Sequence, residues 1–134
     1  MRKWKRDLLR LRQEIKQERN QIDMTSQTLR EARKYEEASE KMIKQEERPD
    51  FHLSVRTGWM NDPNGFSYYN GQYHLFYQYN PYAPRWDSMH WGHAVTKDFL
   101  HWDYLPAALA PDEAYDRDGC FSGSALTLPA GRQL

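Results

Sequence analysis

Two patterns of apolar and polar positions divide the chain. From Arg2 to Glu47 polar residues dominate, and a narrow apolar seam runs through them: Leu8, Leu11, Ile15 and Ile22 recur at steps of three, four and seven. Leu29, Ala32, Tyr35 and Met42 continue the seam weakly. Such steps keep one face of an α-helix apolar, and neither glycine nor proline interrupts the stretch. The spacing predicts helices over 2–22 and 26–47, with a break near Asp23–Ser26 and Ser26 as the cap of the second. The seam serves either a coiled-coil or docking helix pair, helix-mediated self-association included, or a solvated extension lying on its own domain; the extension is the simpler reading.

Past Arg48-Pro49 the helical period stops, because proline and the residue before it disfavour helix. Aromatic and β-branched residues then come in short bursts separated by Gly, Pro, Asn and Asp, which is the punctuation of an all-β fold. Phe66–Tyr69 and Gln72–Tyr79 flank Asn70-Gly71, the dipeptide best suited to the two positive φ angles of a type I′ hairpin turn. Further strands are expected at Trp91–Thr96 and His101–Leu105, joined by a turn at Lys97–Leu100, and another at Gly123–Leu128. The first four make one antiparallel sheet with aromatics on both faces. A propeller blade, a sandwich or an open barrel would each cover such a sheet.

Composition sharpens this division into two parts, 1–48 and 49–134. The 134 residues balance 19 Lys+Arg against 19 Asp+Glu. Residues 1–48 hold 14 basic and 10 acidic residues, and residues 49–134 hold 5 and 9 together with 17 of the aromatics. A neutral chain whose modest basic excess is interleaved with Glu gives no footprint for nucleic acid or an anionic membrane. No window approaches the roughly 20 apolar residues of a membrane span, and no signal-peptide core is evident. The lone Cys120 allows no internal disulfide, so a reducing, cytoplasmic setting is expected. The closing residues LTLPAGRQL end just after a strand-like run, as the front part of a longer protein would.

The segment richest in candidate chemistry is Gly58-Trp59-Met60-Asn61-Asp62-Pro63-Asn64-Gly65. Pro63 biases Asp62 to an extended backbone and so aims its carboxylate; Asn64-Gly65 is expected to turn the chain into the hairpin. Locally this reads as a turn or as a catalytic carboxylate. Trp59, Trp86, Trp91 and Trp102 supply flat rings of the kind that stack on sugar C–H faces, while amides and carboxylates bind hydroxyls. Glycine-rich phosphate loops are absent. His90 and His93, three apart in a strand, face opposite sides, so no metal site is expected. Cys120 reads as a small buried residue, and Asp112, Glu113, Asp116 and Asp118 as a solvated loop.

Four ordered motifs carry a resemblance. Trp-Met-Asn-Asp-Pro-Asn-Gly at 59–65, Tyr-His-Leu-Phe-Tyr-Gln-Tyr-Asn-Pro at 73–81, Trp-Gly-His-Ala at 91–94 and Phe-Ser-Gly-Ser-Ala at 121–125 resemble the opening of glycoside hydrolase family 32, over about residues 49–134. The family contains invertases, also called β-fructofuranosidases, and sucrose-6-phosphate hydrolases. The resemblance implies a five-bladed β-propeller, of which this chain supplies the first blade and the start of the second, with the active site in the axial funnel. It implies Asp62 as catalytic nucleophile. Trp59, Met60, Asn61, Gln78, Trp86, Phe121 and Ser122 are implied as the fructosyl-binding residues, with no cofactor.

The chemistry so implied is retaining hydrolysis of sucrose or sucrose 6-phosphate, with Arg85 and Lys97 as candidate cations for a phosphate. The general acid/base of the family is a Glu in a Glu-Cys motif, and its transition-state-stabilising Asp lies in an Arg-Asp-Pro motif. Neither motif occurs in residues 1–134, and Glu113 is the only Glu after residue 48. The chain therefore carries a nucleophile without its proton donor, and is expected to be nearly inactive alone. The rival reading is a catalytically incompetent carbohydrate-binding or interaction fragment; related propellers also cleave arabinan or transfer fructosyl groups.

Overall fold

The computed structural model describes residues 25–128; the predicted helix 2–22 and its seam, Leu8 to Ile22, lie outside the described residues. Helix α1 spans Gln27–Glu40. Ser26 starts it as expected, its hydroxyl accepting the Leu29 N–H at 3.0 Å. The helix does not continue to Glu47. It closes in two tight turns, Met42 N–H to Ser39 C=O and Ile43 N–H to Glu40 C=O. A single 3-10 turn follows at Gln45–Glu47, where the Glu47 carboxylate accepts the Lys44 N–H at 3.0 Å.

The reason for the early stop is tertiary. The chain must reverse so that Arg56 can reach Glu36 at 2.9 Å and Glu40 at 2.8 Å. Glu36, only 1% exposed, also accepts the Ala107 N–H at 2.9 Å, while Arg33 donates to the Ala107 carbonyl at 2.9 Å. Two side chains of α1 thus satisfy both peptide groups of an edge residue, as a neighbouring strand would. Burial raises the Glu36 pKa, opposed by the Ala107 N–H and by Arg56. Of the described seam residues Leu29 and Ala32 are buried, Leu29 within the core cluster of the chain's own sheet, whereas Tyr35 and Met42 are exposed.

Four strands, β1 (Trp59–Tyr69), β2 (Gln72–Asn80), β3 (His90–Thr96) and β4 (Asp103–Leu109), form one antiparallel sheet in sequence order. Asn70 and Gly71 turn β1 into β2 with φ of 51° and 85°, the type I′ signature. On one face Tyr77 and Tyr79 pack with Leu29, Ala94, Ala107 and Ala110, and Leu53, Val55, Met60, Trp102 and Tyr104 close around them. Tyr77 lies flat across Gly92, where a Cβ would stand 2.1 Å from its ring. The pairs Gln78–Trp91 and Phe76–His93 mark the opposite face, and residues 120–125 cross it.

Besides the helix end, three expectations for residues 49–134 need correction. Asp62-Pro63-Asn64-Gly65 is not a turn before the hairpin; it lies within β1, which absorbs it through two register irregularities and a positive φ of 48° at Gly65. Pro63 fits there because β1 is an edge strand and a missing N–H costs no ladder bond on the outer side. The fourth strand starts at Asp103 rather than His101, since the Asp98 carboxylate caps the Leu100 and His101 N–H groups and prolongs the turn. Gly123–Leu128 is not a strand: apart from a bridge at Thr127 it is irregular.

The second face holds a polar pair among rings. His74 Nδ1 and His93 Nε2 lie 3.0 Å apart, one donating and one accepting, and the His93 ring stacks on Phe76 at 4.2 Å. Burial first, then the neighbouring His74, holds the His93 pKa down at about 4. An unfolded histidine takes up its proton near 6.5. The stability tied to neutral His93 is therefore complete above that value and is lost as pH falls from about 6.5 to about 4, by about 3 kcal/mol at most. Urea midpoints measured across this window should drop in the parent chain. They should drop less in His93→Phe, which removes this contribution and keeps the one from His90, also shifted down by burial.

Candidate active site

The site is built where the irregular stretch of β1 meets the strap of residues 120–123. Extended geometry enforced by Pro63 leaves the Asp62 side chain exposed at the sheet edge. Its Oδ2 accepts the Ser122 hydroxyl at 2.9 Å. Ser122 first, and then the Asn61 amide, favour the charged form and hold the Asp62 pKa below its ordinary value. Asn61 is oriented in turn by Trp59, whose indole N–H donates to Asn61 Oδ1 at 3.0 Å. A chain of polar contacts thus runs Trp59, Asn61, Asp62, Ser122, beside a Trp59 ring that is 37% exposed.

The strap owes its position to donors beneath it. Gln78, 2% exposed, gives its amide N–H to the Cys120 carbonyl at 2.7 Å. The Trp91 indole N–H is shared between the Cys120 and Phe121 carbonyls at 3.2 and 3.1 Å. Gly123 is tied to β1 from both sides: its carbonyl accepts the Gly65 N–H at 3.1 Å, and its own N–H donates to Asn64 Oδ1 at 3.3 Å. Ser122, exposed between these anchors, is thereby delivered to a carboxylate sixty positions away in the chain.

Of the sequence-derived candidates, Trp59, Asn61, Asp62 and Ser122 come together directly, and Gln78 lies beneath them. Met60 points the other way, into the cluster around Tyr77 and Tyr79, as alternation along a strand requires. Phe121 is exposed beside Ser122, and Trp86 is exposed in the loop between β2 and β3. That loop begins next to Trp59, because Asn80 is the register partner of Trp59. Asn80 also folds it, donating to the Arg85 carbonyl at 2.9 Å and accepting the Tyr82 N–H at 3.1 Å. Asn64, Asn80 and Trp91 position the site in ways that sequence reasoning did not assign: Trp91 was named only as one of several flat rings, Asn64 only as part of a turn, and Asn80, which the Asn-Pro pair at 80–81 signals as a turn initiator, only within a motif.

The remaining titratable groups stand apart. His90 and His93 face opposite sides, as their spacing predicts, with His90 bonded to the Ser88 carbonyl. Among the described residues no three His, Cys, Asp or Glu side chains converge as a metal centre needs. Cys120 is buried, its thiol pushed up to about 12 chiefly by burial, which makes it a poor nucleophile. Glu113 sits in the exposed acidic loop, its N–H bonded to Asp116. Among the described residues, no helix is long and apolar enough to cross a membrane. A charged, oriented carboxylate beside an exposed indole and amides can attack an electrophilic carbon of a polyol ring, or bind its hydroxyls.

Comparison with known proteins identifies the family and the fold. The profile of the Glycosyl hydrolases family 32 N-terminal domain matches residues 52–133. The chain is 56% identical over 89 residues to the sucrose-6-phosphate hydrolase of Zymomonas mobilis, which covers 66% of this chain and 17% of the relative. Among solved structures, a variant of the Bombyx mori GH32 β-fructofuranosidase in complex with sucrose superimposes with a TM-score of 0.66 at 44% identity, over 75% of this chain and 21% of that one. Fructan 1-exohydrolase IIa from Cichorium intybus in complex with 1-kestose gives 0.61 at 44% identity, over 68% and 17%. The four-stranded sheet corresponds to an N-terminal propeller blade of these enzymes. The chain spans about a sixth of the length of the curated relatives it matches.

Proposed function

Because the chain belongs to glycoside hydrolase family 32, we propose that it is the nucleophile-bearing part of a β-fructofuranosidase that hydrolyses sucrose or sucrose 6-phosphate. The observation that carries this reading is the Asp62 carboxylate, exposed at the sheet edge and held ionised by Ser122 and Asn61 next to the Trp59 ring. A nucleophile must be charged and aimed before the substrate arrives. The relatives support the substrate class by their names: sucrose-6-phosphate hydrolase, raffinose invertase, levanase.

In the proposed reaction Asp62 attacks the anomeric carbon of the fructosyl unit. The bond from that carbon to the bridging oxygen breaks, and a separate acid protonates the departing oxygen. Water then adds to the same carbon, giving up a proton to the conjugate base and releasing the Asp62 carboxylate. Retention needs the second carboxyl about 5–5.5 Å from the first, and residues 1–134 contain neither the Glu-Cys nor the Arg-Asp-Pro motif that would bring it. Asn61, Gln78, Trp59, Trp86, Phe121 and Ser122 are proposed to line the fructosyl pocket around Asp62, with Met60 supporting from beneath. No cofactor takes part. We propose a cytoplasmic setting for the enzyme, one in which a free, buried thiol such as Cys120 stays reduced.

General acid–base catalysis contributes about 10²–10⁴-fold. The 134-residue chain should therefore release glucose and fructose from sucrose more slowly than a polypeptide that continues through both missing motifs, by about that factor. Coupled assay of glucose release from the two proteins, at equal concentration, decides it. Equal rates would remove the two-carboxylate reading.

A further inference from the structure

We propose that Trp91, a residue with no contact to Asp62, is a positioning residue for the Asp62 carboxylate and acts on it through the strap of residues 120–123. The inference rests on the reading of Asp62 as nucleophile only for its catalytic meaning; the coupling itself is geometric. Trp91 lies on β3 and Asp62 on β1, with β2 between them. What joins them is four residues of irregular backbone whose place is not dictated by any sheet ladder.

Three observations single out Trp91 within the anchoring set. Its one indole N–H reaches two successive carbonyls, those of Cys120 and Phe121, immediately before Ser122. Its ring is also the floor of the strap: a Cβ at Gly123 would meet the six-membered ring at 3.2 and 3.4 Å. Gly123, directly after Ser122, is thus pressed on the indole from above. Ser122 is bracketed on both sides by contacts with this single side chain. Finally, Trp91 is itself fixed, its ring tilted at 42° against Phe76 with centroids 5.7 Å apart, and paired in register with the buried Gln78.

The consequence follows from the rotational freedom of a carboxylate. An exposed Asp samples several rotamers, and the Ser122 hydroxyl at 2.9 Å selects one of them. A strap displaced by about 1 Å would take that hydroxyl beyond hydrogen-bond reach, and displacements of that order cost on the order of 10²-fold when the aimed group is catalytic. Loss of the hydrogen bond also removes the largest influence favouring the charged form of Asp62, which gives a readout independent of turnover.

Carbon-13 NMR titration of the Asp62 carboxyl reads the coupling. Ser122→Ala deletes the donor and should raise the Asp62 midpoint toward the ordinary carboxylate range. Trp91→Phe keeps a flat ring and deletes the indole N–H, and should raise it in the same direction. The double variant should go no further than Ser122→Ala alone, because Trp91 works through Ser122. The proposal is overturned if Trp91→Phe titrates like the parent while Ser122→Ala is displaced, or if the two shifts add. Should Trp91→Phe fail to fold, Gly123→Ala decides: its methyl group lifts the strap from the indole and should raise the midpoint, and an unchanged midpoint rejects the coupling. The nucleophile reading is tested separately by turnover, so either can fail while the other stands.

Discussion

Asp62→Asn, in a polypeptide that carries the whole catalytic set, should lower kcat on sucrose by on the order of 10⁴-fold or more while leaving the fold intact. The substitution is nearly isosteric. Its carbonyl oxygen can still accept the Ser122 hydroxyl that now bonds Oδ2, and Asp62 is exposed, so no core packing is disturbed. What disappears is the negative charge that attacks carbon and the ester that would form. KM should change little, because hydroxyl contacts to the sugar persist. Steady-state kinetics with a thermal melt as control measures both halves. A variant with normal melting and a kcat within tenfold of the parent would show that another group attacks.

Arg56→Ala should destabilise the chain by about 3–5 kcal/mol. The guanidinium neutralises two carboxylates of α1, and one of them, Glu36, is 1% exposed. Without Arg56 that charge keeps the Ala107 N–H and loses its countercharge in a site where burial already makes ionisation costly. The sign with pH follows. A carboxyl whose pKa is raised on folding stabilises the folded chain when protonated, and that stability is lost as pH rises through the folded pKa. Removing Arg56 raises it further, so the deficit in urea unfolding should be larger at neutral pH than in mild acid. A deficit that is the same across that range would mean that Glu36 is not the residue responsible.

These two residues also show what sequence could reveal. Asp62 could be singled out because its neighbours act locally: proline restricts it, and Asn61 and Trp59 flank it. Strict alternation would have put it on the Met60 side, and the register irregularity between Met60 and Pro63 that lets it meet Ser122 could not be read from the pattern. The Asn70-Gly71 turn and the Ser26 cap were legible because they too are local, each being a two- or three-residue geometry. Glu36 was not. In a helix rich in Glu and other charged residues a carboxylate reads as solvated, and only the return of Arg56 and the edge of β4 at Ala107 make it a buried one.

The same limit applies to the strap. Gly123–Leu128 has the composition of a strand, yet its start is held by Asn64 and Gly65 at Gly123, and the carbonyls of Cys120 and Phe121 just before it by Gln78 and Trp91, from three separate strands. Motif likeness could name Ser122 as part of a site without saying what its hydroxyl touches. The structure puts it on Asp62, and puts Met60, next to Asn61 in the chain, on the other face among Tyr77 and Tyr79.

The central claim is that Asp62 forms a bond to the fructosyl carbon, and trapping that bond tests it most directly. A β-fructofuranosyl donor with a good leaving group needs no acid to depart, whereas release of the sugar ester still requires a base to activate water. A complete enzyme whose acid/base Glu has been changed to Gln should therefore accumulate fructose on one peptide. Peptic digestion and mass spectrometry should find it on the segment containing Trp59 to Gly65, fragmenting at Asp62. Ester on any other carboxylate, or product released with no ester at all, would contradict the account.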